Sequence, residues 1–332
     1  MKDLSGSERF IINDLFDSGI FTSTVTDQTS QAKADAIVAL RRPATQQRLR
    51  SFLVDLVGVG PTNFQENLIF LSGEKSLPAE TTHVLLATIK AVINLPELQN
   101  TQADRVVAVR TVVRQVHSEV VELNEKEIRN QIIALFVDRF GLFIEDEPEQ
   151  IPEDQAQEIE EYWSVSPDFA AVAQCLVNRI RTMTDRPTPS TIQQINQTLL
   201  NRYYLSAASY LWPELVKNKE VIAAQWQQTD RFVLECGDNY AVLLDKKRSP
   251  STAKPFVIAI GVAQSLGIGI PSAQLLDRIH NVAERLIPGY PINVSLVKEA
   301  LYVNGLALER DGYVVATPLV KRFGIKQAER EA

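Results

Sequence analysis

Few side chains in this sequence are of the types that carry out acid–base, nucleophilic or metal chemistry. The 332 residues include three histidines, His83, His117 and His280, and two cysteines, Cys175 and Cys236. Each histidine lies in a helical pattern without a cysteine or carboxylate at ligand spacing, and the cysteines are too far apart for a zinc or redox motif. We therefore predict a non-enzymatic protein with no catalytic residue, metal site or cofactor. Because catalytic groups can converge from distant positions, an enzyme with a dispersed active site is kept as an alternative.

Amide and cationic side chains form the pattern that best suits a ligand, and that ligand is nucleic acid. A helix predicted over residues 190–205 has an amide-rich face, and glutamine can form two hydrogen bonds with the edge of adenine. A Lys-Lys-Arg run beside a predicted hairpin suits phosphate. The predicted nucleic-acid contacts are Gln193, Gln194, Gln197, Arg202, Lys246, Lys247, Arg248 and Lys298. Asn196 and Asn201 complete the amide face, which we expect to be exposed. The alternative is an ordinary polar surface.

A second basic cluster lies nearer the N-terminus. It consists of Arg41, Arg42, Arg48 and Arg50, at and after the start of a helix predicted from about Ala44 to Val57. Such a cluster can contact phosphates, but it is also typical of a solvated helix face. We interpret it as a solvated face and keep phosphate contact as the alternative.

The turn after that helix, Gly58-Val59-Gly60-Pro61, resembles a phosphate-binding loop only in its glycines. It lacks the Lys-Ser/Thr pair at the spacing that such a loop requires. We predict no nucleotide there, and a further helix capped by Thr62.

Helices and strands can be predicted from the sequence most clearly over residues 256–318. The apolar run from Phe256 to Leu266 is either a buried helix or a short strand. Pro288-Gly289 and Asn304-Gly305 end the two helices that follow. Asp311-Gly312 is a two-residue turn typical of a β-hairpin, so the order is helices and then a hairpin.

In this order, and in the segment Leu306-Ala307-Leu308-Glu309-Arg310-Asp311-Gly312-Tyr313-Val314, the C-terminal part resembles the winged helix-turn-helix superfamily. It resembles more loosely the C-terminal modules of some large bacterial phage-defence proteins. In winged helices that bind DNA, the third helix enters the major groove. Here that helix would be residues 294–303, with Lys298 and Glu299 exposed. The resemblance equally implies docking to protein, because fold does not fix function.

A second set of helices ending in a hairpin precedes this segment, with Cys236-Gly237-Asp238-Asn239 between its two strand patterns. We therefore predict two tandem units of the same kind. Before them, residues 145–161 contain nine acidic residues, no basic residue and two prolines. This composition is typical of an exposed linker, and we place the main domain boundary there.

The N-terminal part is predicted to be helical throughout. Its most regular pattern runs from Asp104 to Leu123, where Val106, Val109, Val113, Val116 and Val120 form one stripe that we expect to pack within the domain. The predicted fold class is mainly α, an N-terminal helical domain plus two tandem winged-helix-like units with short β-hairpins. The predicted domains are a helical domain at 1–144, an acidic linker at 145–164, a winged-helix-like unit at 165–250 and a C-terminal winged-helix domain at 251–325.

Composition and charge limit the function further. No apolar run is long enough to span a bilayer, and the N-terminus lacks the apolar core of a signal peptide, so we predict a cytoplasmic protein. The net charge is −7, but residues 245–332 hold 12 Lys and Arg against 8 Asp and Glu. A basic C-terminal part on an acidic body is compatible with local phosphate contact, and chance asymmetry is the alternative.

These observations predict a non-enzymatic subunit or adaptor of a bacterial multi-component assembly of the defence or mobile-element type. The winged-helix-like units would dock protein or DNA. We expect a protein partner or a homo-oligomer, DNA as a further ligand, no membrane and no small-molecule substrate. The main alternative is a direct DNA-binding regulator of a plasmid, transposon or defence system.

Overall fold

The computed structural model describes residues 3–26, 29–71, 79–99, 105–146, 161–181, 188–247 and 251–325. Most of these residues are helical, and the strands among them form four antiparallel sheets of three strands each. The mainly α fold class predicted from the sequence is confirmed. The chain divides into two compact units, Met1–Gln193 and Gln194–Ala332.

One arrangement of elements occurs four times in the described parts of the chain. In each sheet, the last of the three strands lies between the first and the second. A helix precedes the first strand, two helices follow it (in the third case a turn and one helix), and the last two strands form a hairpin. We call these arrangements repeats 1 to 4, and they cover residues 6–69, 79–165, 191–245 and 254–316.

Repeat 1 has helix ends that follow from local sequence. Ser5 and Glu8 form a capping box before α1, Ser30 caps α2, and Pro43 occupies the first turn of α3. Gly58 ends α3 in the left-handed conformation that glycine adopts without strain. The elements are α1 (Gly6–Ser18), β1 (Ile20–Phe21), α2 (Gln31–Leu40), α3 (Pro43–Val57), β2 (Thr62–Phe64) and β3 (Asn67–Ile69).

The hairpin of repeat 1 lies where the sequence predicted a helix capped by Thr62, so that prediction is wrong. β2 pairs with β3, and Gln65 and Glu66 lie in the turn between them. Their φ angles are 49° and 66°, as a type I′ turn requires. Because neither residue is glycine or asparagine, the usual hairpin signal is missing from the sequence.

Repeat 2 contains the valine-rich segment that was predicted as one helix from Asp104 to Leu123. That prediction is wrong at both ends: Val106–Ala108 forms a strand, as β-branched residues favour, and the helix covers only Val109–His117. Val109, Val113, Val116 and Val120 are buried, which confirms that the stripe packs within the protein. The elements are α4 (Ala79–Ile93), α5 (Pro96–Gln99), β4 (Val106–Ala108), α6 (Val109–His117), α7 (Glu125–Ile132), a π-helical continuation (Ile133–Arg139), β5 (Phe143–Asp146) and β6 (Tyr162–Val165).

The two ends of the acidic segment lie on neighbouring strands. Phe143 on β5 is opposite Val165 on β6, and Asp146 is opposite Tyr162. The segment predicted as a linker between domains, residues 145–164, therefore connects two strands of one sheet. The compact units divide at Gln193 instead. An acidic, proline-containing composition is typical of a linker between domains and equally of a long connection between two strands. Residues 147–160 lie outside the described residues.

α8 (Phe169–Arg181) belongs to the core of the first unit rather than to the unit predicted from residue 165 to 250. Phe169 is buried in one apolar cluster with residues of repeats 1 and 2. Just before the helix, Asp168 accepts hydrogen bonds from the hydroxyl of Thr24 at 2.6 Å and from its backbone N–H at 3.2 Å.

Repeats 3 and 4 form the second unit, apart from the first turn of α9. Both hairpins predicted here are confirmed, and the apolar run from Phe256 to Leu266 is a buried helix. Repeat 3 comprises α9 (Thr191–Arg202), β7 (Tyr204–Ser206), α10 (Trp212–Gln227), β8 (Phe232–Cys236) and β9 (Tyr240–Asp245). Repeat 4 comprises α11 (Lys254–Gln264), β10 (Ile270–Pro271), a 3₁₀ turn (Ser272–Gln274), α12 (Leu275–Leu286), α13 (Val294–Val303), β11 (Ala307–Arg310) and β12 (Tyr313–Ala316).

Contacts within the second unit join repeats 3 and 4. Arg322, in a 3₁₀ turn after β12, pairs with the carboxylate of Glu235 on β8, and the hydroxyl of Tyr240 donates to the same carboxylate at 3.1 Å. Gly305 lies against the backbone of α9, where an added Cβ would be 3.3 Å from the carbonyl oxygen of Arg202.

Candidate nucleic-acid interface

In each repeat, one helix immediately precedes the hairpin. These helices are α3, α7, α10 and α13. Because they share one place in a common topology, their exposed side chains can be compared directly. α3 differs from the other three helices in the cluster of arginines at and after its start.

The exposed face of α3 has small and amide side chains at its centre and arginines to either side. Ala44, Gln47 and Ser51 are exposed and follow one another at about one helical turn. Arg48 and Arg50 are also exposed and flank this central line. The face is thus open at its centre and cationic at its edges.

Two of the four arginines around α3 are paired with acids of repeat 1. Arg48 donates through Nε to Oε1 of Glu8 at 2.5 Å. Glu8 is 1% exposed, and it also accepts the backbone N–H of Ser5 at 2.8 Å. Burial raises the pKa of Glu8, but the hydrogen bond from Ser5 and the charge of Arg48 outweigh it and leave this pKa below its usual value. Arg41 lies 3.3 Å from Glu66 in a pair exposed to solvent.

The side chains of Arg42 and Arg50 have no hydrogen-bond or ion-pair partner within the described residues, and both residues are exposed. The side chain of Arg50 lies along the turn before the hairpin. An added Cβ at Gly60 would be 3.1 Å from Cγ of Arg50 and 3.2 Å from Cγ2 of Val54. Both guanidinium groups can therefore bind phosphate oxygens without first breaking an ion pair.

The equivalent helix of repeat 2 carries mixed charge. Glu125, Glu127 and Asp138 are exposed on α7 and its continuation, against one exposed lysine, Lys126. Arg129 is paired with Glu161 at 2.6 Å. This face therefore has no excess of unpaired cations to attract a polyanion.

The equivalent helices of repeats 3 and 4 differ again. α10 exposes Lys217 and Lys219 together with Glu220, so its charges nearly cancel. α13 exposes an apolar surface in which Leu296 and Val303 are 46% and 65% exposed. Neither helix has an arginine cluster like the four arginines of residues 41–50 at and after the start of α3.

The amide side chains predicted from the sequence lie on α9, which precedes the first strand of repeat 3 rather than its hairpin. Gln193 accepts the backbone N–H of Ser190 at 2.8 Å and donates to the carbonyl of Val54 at 2.8 Å. Gln194 accepts a hydrogen bond from the hydroxyl of Tyr210 at 3.0 Å.

The expectation that Asn196 is exposed is wrong. Asn196 is fully buried, where it accepts a hydrogen bond from the indole N–H of Trp226 at 2.9 Å and donates to Gln225 at 2.9 Å. A buried tryptophan N–H needs an acceptor, and an amide on the neighbouring helix supplies it. Gln197 is half-buried and Arg202 is exposed; their contact with nucleic acid stays a prediction.

The predicted cations lie on two further elements of the second unit. Lys246, after β9, pairs with Asp230 at 3.0 Å, and the backbone N–H of the exposed Lys247 donates to Asp245 at 2.8 Å. Arg248 lies outside the described residues. Lys298 is exposed on α13. The role of these cations also stays a prediction.

Sequence reasoning placed the arginines of α3 correctly on a helix but interpreted them as a solvated face. These arginines differ from those of an ordinary solvated helix because a hairpin directly follows their helix. The sequence did not indicate this hairpin, since its turn, Gln65-Glu66, contains no glycine. The one available signal was the continuous apolar run Leu68-Ile69-Phe70-Leu71 after the Gly58–Pro61 turn, which is compatible with a short buried strand.

The described residues offer little for covalent or metal chemistry. They contain no group of three His, Cys, Asp or Glu side chains placed to hold a metal ion. Cys175 is buried, and burial raises the pKa of its thiol to about 12. No helix in the described ranges has the length and apolarity needed to cross a membrane.

Comparisons with known proteins returned no match. No family model fits the chain, and neither a curated protein sequence nor a solved structure is significantly similar to it.

Proposed function

We propose that this protein is a non-enzymatic docking subunit built from winged-helix-type repeats, and that α3 of repeat 1 contacts nucleic acid. The observation that carries this proposal is the exposed face of α3, which has small and amide residues at its centre, the unpaired side chain of Arg50 at one edge and that of Arg42 at the start of the helix. The order of helices and strands in each repeat supports the resemblance to winged helices. The larger assembly and its defence or mobile-element setting stay predictions from that resemblance.

Electrostatics favour α3 over the other helices that precede hairpins. Four arginines lie between residues 41 and 50, and Asp55 is the one acid within α3. Phosphate contacts by such cations provide most sequence-independent affinity for DNA, even on a protein with a net negative charge. The net charge of the whole chain, −7, opposes DNA binding, so contact depends on the local excess of cations at the start of α3.

The test is fluorescence anisotropy of the full chain with a mixed-sequence DNA duplex at low salt. The variant Arg42→Ala/Arg50→Ala should bind at least about tenfold more weakly, since two phosphate contacts are lost. A matched control is Arg114→Ala/Lys126→Ala, which removes two exposed cations from repeat 2. Equal affinities of wild type and the α3 variant, or no binding by wild type, would refute the proposal.

The second basic cluster predicted from the sequence can be tested in the same assay. In Lys246→Ala/Lys247→Ala/Arg248→Ala, a loss of affinity similar to that of the α3 variant would make this run a second phosphate contact. Unchanged affinity would confine binding to repeat 1.

A second candidate function is protein docking through α13. Leu296, Tyr302 and Val303 are exposed on this one helix of ten residues, and exposed apolar clusters of this kind mark interaction sites. Sedimentation velocity over a range of protein concentrations would test self-docking. Association that is abolished by Leu296→Lys/Val303→Lys supports it, whereas a monomer at every concentration argues against a homo-oligomer.

A further inference from the structure

Two adjacent glutamines on α3 have different surroundings. Gln46 is used by the fold: its amide donates to the carbonyl of Leu40 at 2.8 Å and accepts from Asn63 on β2 at 3.0 Å. Gln47 is exposed and has no side-chain partner within the described residues. Gln47 is therefore the amide on α3 that a ligand can reach without disturbing repeat 1.

The neighbours of Gln47 allow close approach to a flat surface. Ala44 precedes it by one turn and Ser51 follows it by one turn, both exposed and both small. Arg48 and Arg50 flank the same face, and Arg42 lies just before the first turn of the helix. A helix with short side chains along its centre and cations at its sides matches a groove between two phosphate backbones.

The chemistry of a glutamine in this position selects one base. Its amide presents a donor and an acceptor side by side, which complement N7 and the N6 amino group of adenine in the major groove. A methyl group such as that of Ala44 makes apolar contact with the C5-methyl of thymine, the partner of adenine. The A-form major groove of duplex RNA is too narrow for a helix, so the matching ligand is B-form DNA.

We propose that Gln47 makes this protein prefer duplex DNA that carries an A·T base pair at one fixed position of its site. This inference rests on the proposed function of α3, and it adds which base the helix recognises. Gln47 would set the preference, while Arg42 and Arg50 would bind phosphate on any sequence.

The equivalent helix of repeat 2 provides an internal contrast. It also exposes an amide, Asn130, but the exposed Glu127 lies one turn before it, beside Lys126. This carboxylate would repel a phosphate at the edge of the groove. An exposed amide is thus common to both helices, but only Gln47 on α3 has arginines and no acid within one turn along the helix.

The experiment is selection of bound duplexes from a randomised DNA library by the full chain, followed by anisotropy with the selected duplex. We expect one enriched adenine. Replacing it with 7-deazaadenine, which lacks the N7 acceptor, should weaken binding at least about fivefold. Gln47→Ala should lose both the enrichment and the effect of 7-deazaadenine while it keeps binding mixed-sequence DNA. Gln115→Ala, an exposed glutamine on α6, is the matched control and should behave as wild type.

The outcomes separate this inference from the proposed function. If wild type binds DNA but enriches no adenine, or if Gln47→Ala keeps the same preference, the inference is refuted while docking through α3 stands. Equal affinity for duplex RNA and DNA would also refute it, because groove contact by Gln47 requires the B form. If wild type binds no duplex, the proposed function itself is wrong.

Discussion

Glu8 is a buried charged residue that joins two helices of repeat 1. It is buried, closes the capping box of α1 and pairs with Arg48 on α3, so it ties two helices together. We predict that Glu8→Ala lowers the free energy of unfolding by about 1–3 kcal/mol, because Arg48 and the Ser5 N–H lose their acceptor. Urea denaturation measures this, and Glu66→Ala, which removes an exposed ion pair, is the control with about 0.5 kcal/mol or less. Equal effects of the two substitutions would contradict the assignment.

The lowered pKa of Glu8 makes its contribution depend on pH with a definite sign. In the unfolded chain this carboxyl titrates at about 4.3, and in the folded protein it titrates lower. Its stabilisation is therefore complete above the unfolded pKa and is lost as the pH falls through the folded pKa. The stability difference between wild type and Glu8→Gln should accordingly shrink below about pH 4. A difference that stays constant or grows on acidification would show that Glu8 is not the titrating group.

Gly60 is predicted to position Arg50 for phosphate contact. An added Cβ would press on Cγ of Arg50 at 3.1 Å, and Gly60 does not have the positive φ that would strain alanine. Gly60→Ala should therefore weaken DNA binding less than Arg50→Ala does, and should have no effect when Arg50 is already alanine. Gly6→Ala, where an added Cβ meets no atom within 4 Å, is the control. Additive effects of the two substitutions would exclude positioning.

At the scale of elements, the sequence predicted hairpins only where the turn carried a recognisable residue. Asp311-Gly312 indicated the hairpin of repeat 4, and the φ angles there are 52° and 78°. The turn at Gln65 and Glu66 has the same sign of φ with residues that rarely adopt it, so nothing in the sequence marked it. The strand Val106–Ala108 was missed because Val106 continues the spacing of three and four residues that the valines of the following helix show.

The same comparison gives a prediction for the turn of repeat 1. Gln65→Asn/Glu66→Gly should raise the free energy of unfolding by about 0.5–1 kcal/mol, because asparagine and glycine adopt positive φ at lower cost. Loss of the exposed Arg41–Glu66 pair offsets little of this. The reverse change, Gly312→Ala in repeat 4, should destabilise. Thermal or urea denaturation compares the variants, and a loss of stability in the first would contradict the assigned turn.

The candidate site was only partly predictable at this scale. The sequence identified the arginines of α3 and the amides of α9, but topology decides which helix precedes a hairpin. Asn196 illustrates the limit, since its polar type predicted exposure while the indole of Trp226 requires it in the core. Pairing of Arg48 with Glu8 likewise joins positions 40 residues apart, which no local pattern reveals.

At the scale of the whole molecule, one strand topology is repeated, and the exposed surfaces of the repeats differ. The described residues contain it four times, whereas the sequence predicted two such units after a helical domain. Apolar periodicity located most helices, but the strand order became visible only once distant segments paired, as Ile20 does with Ile69 and Val106 with Ser164. Repetition of the fold with divergent surfaces is consistent with the proposed division of roles, in which repeat 1 would contact polyanion and repeat 4 would contact protein.

The most direct test of the central claim is the salt dependence of duplex binding by wild type and by Arg42→Ala/Arg50→Ala. The logarithm of the association constant should fall linearly with the logarithm of the salt concentration, with a slope near −0.9 for each phosphate contacted. We predict that the variant binds more weakly and that its slope is smaller by about two, since two phosphate contacts are removed. Wild-type binding with an unchanged slope in the variant, or no binding by wild type at low salt, would contradict the assignment of α3 as the nucleic-acid contact.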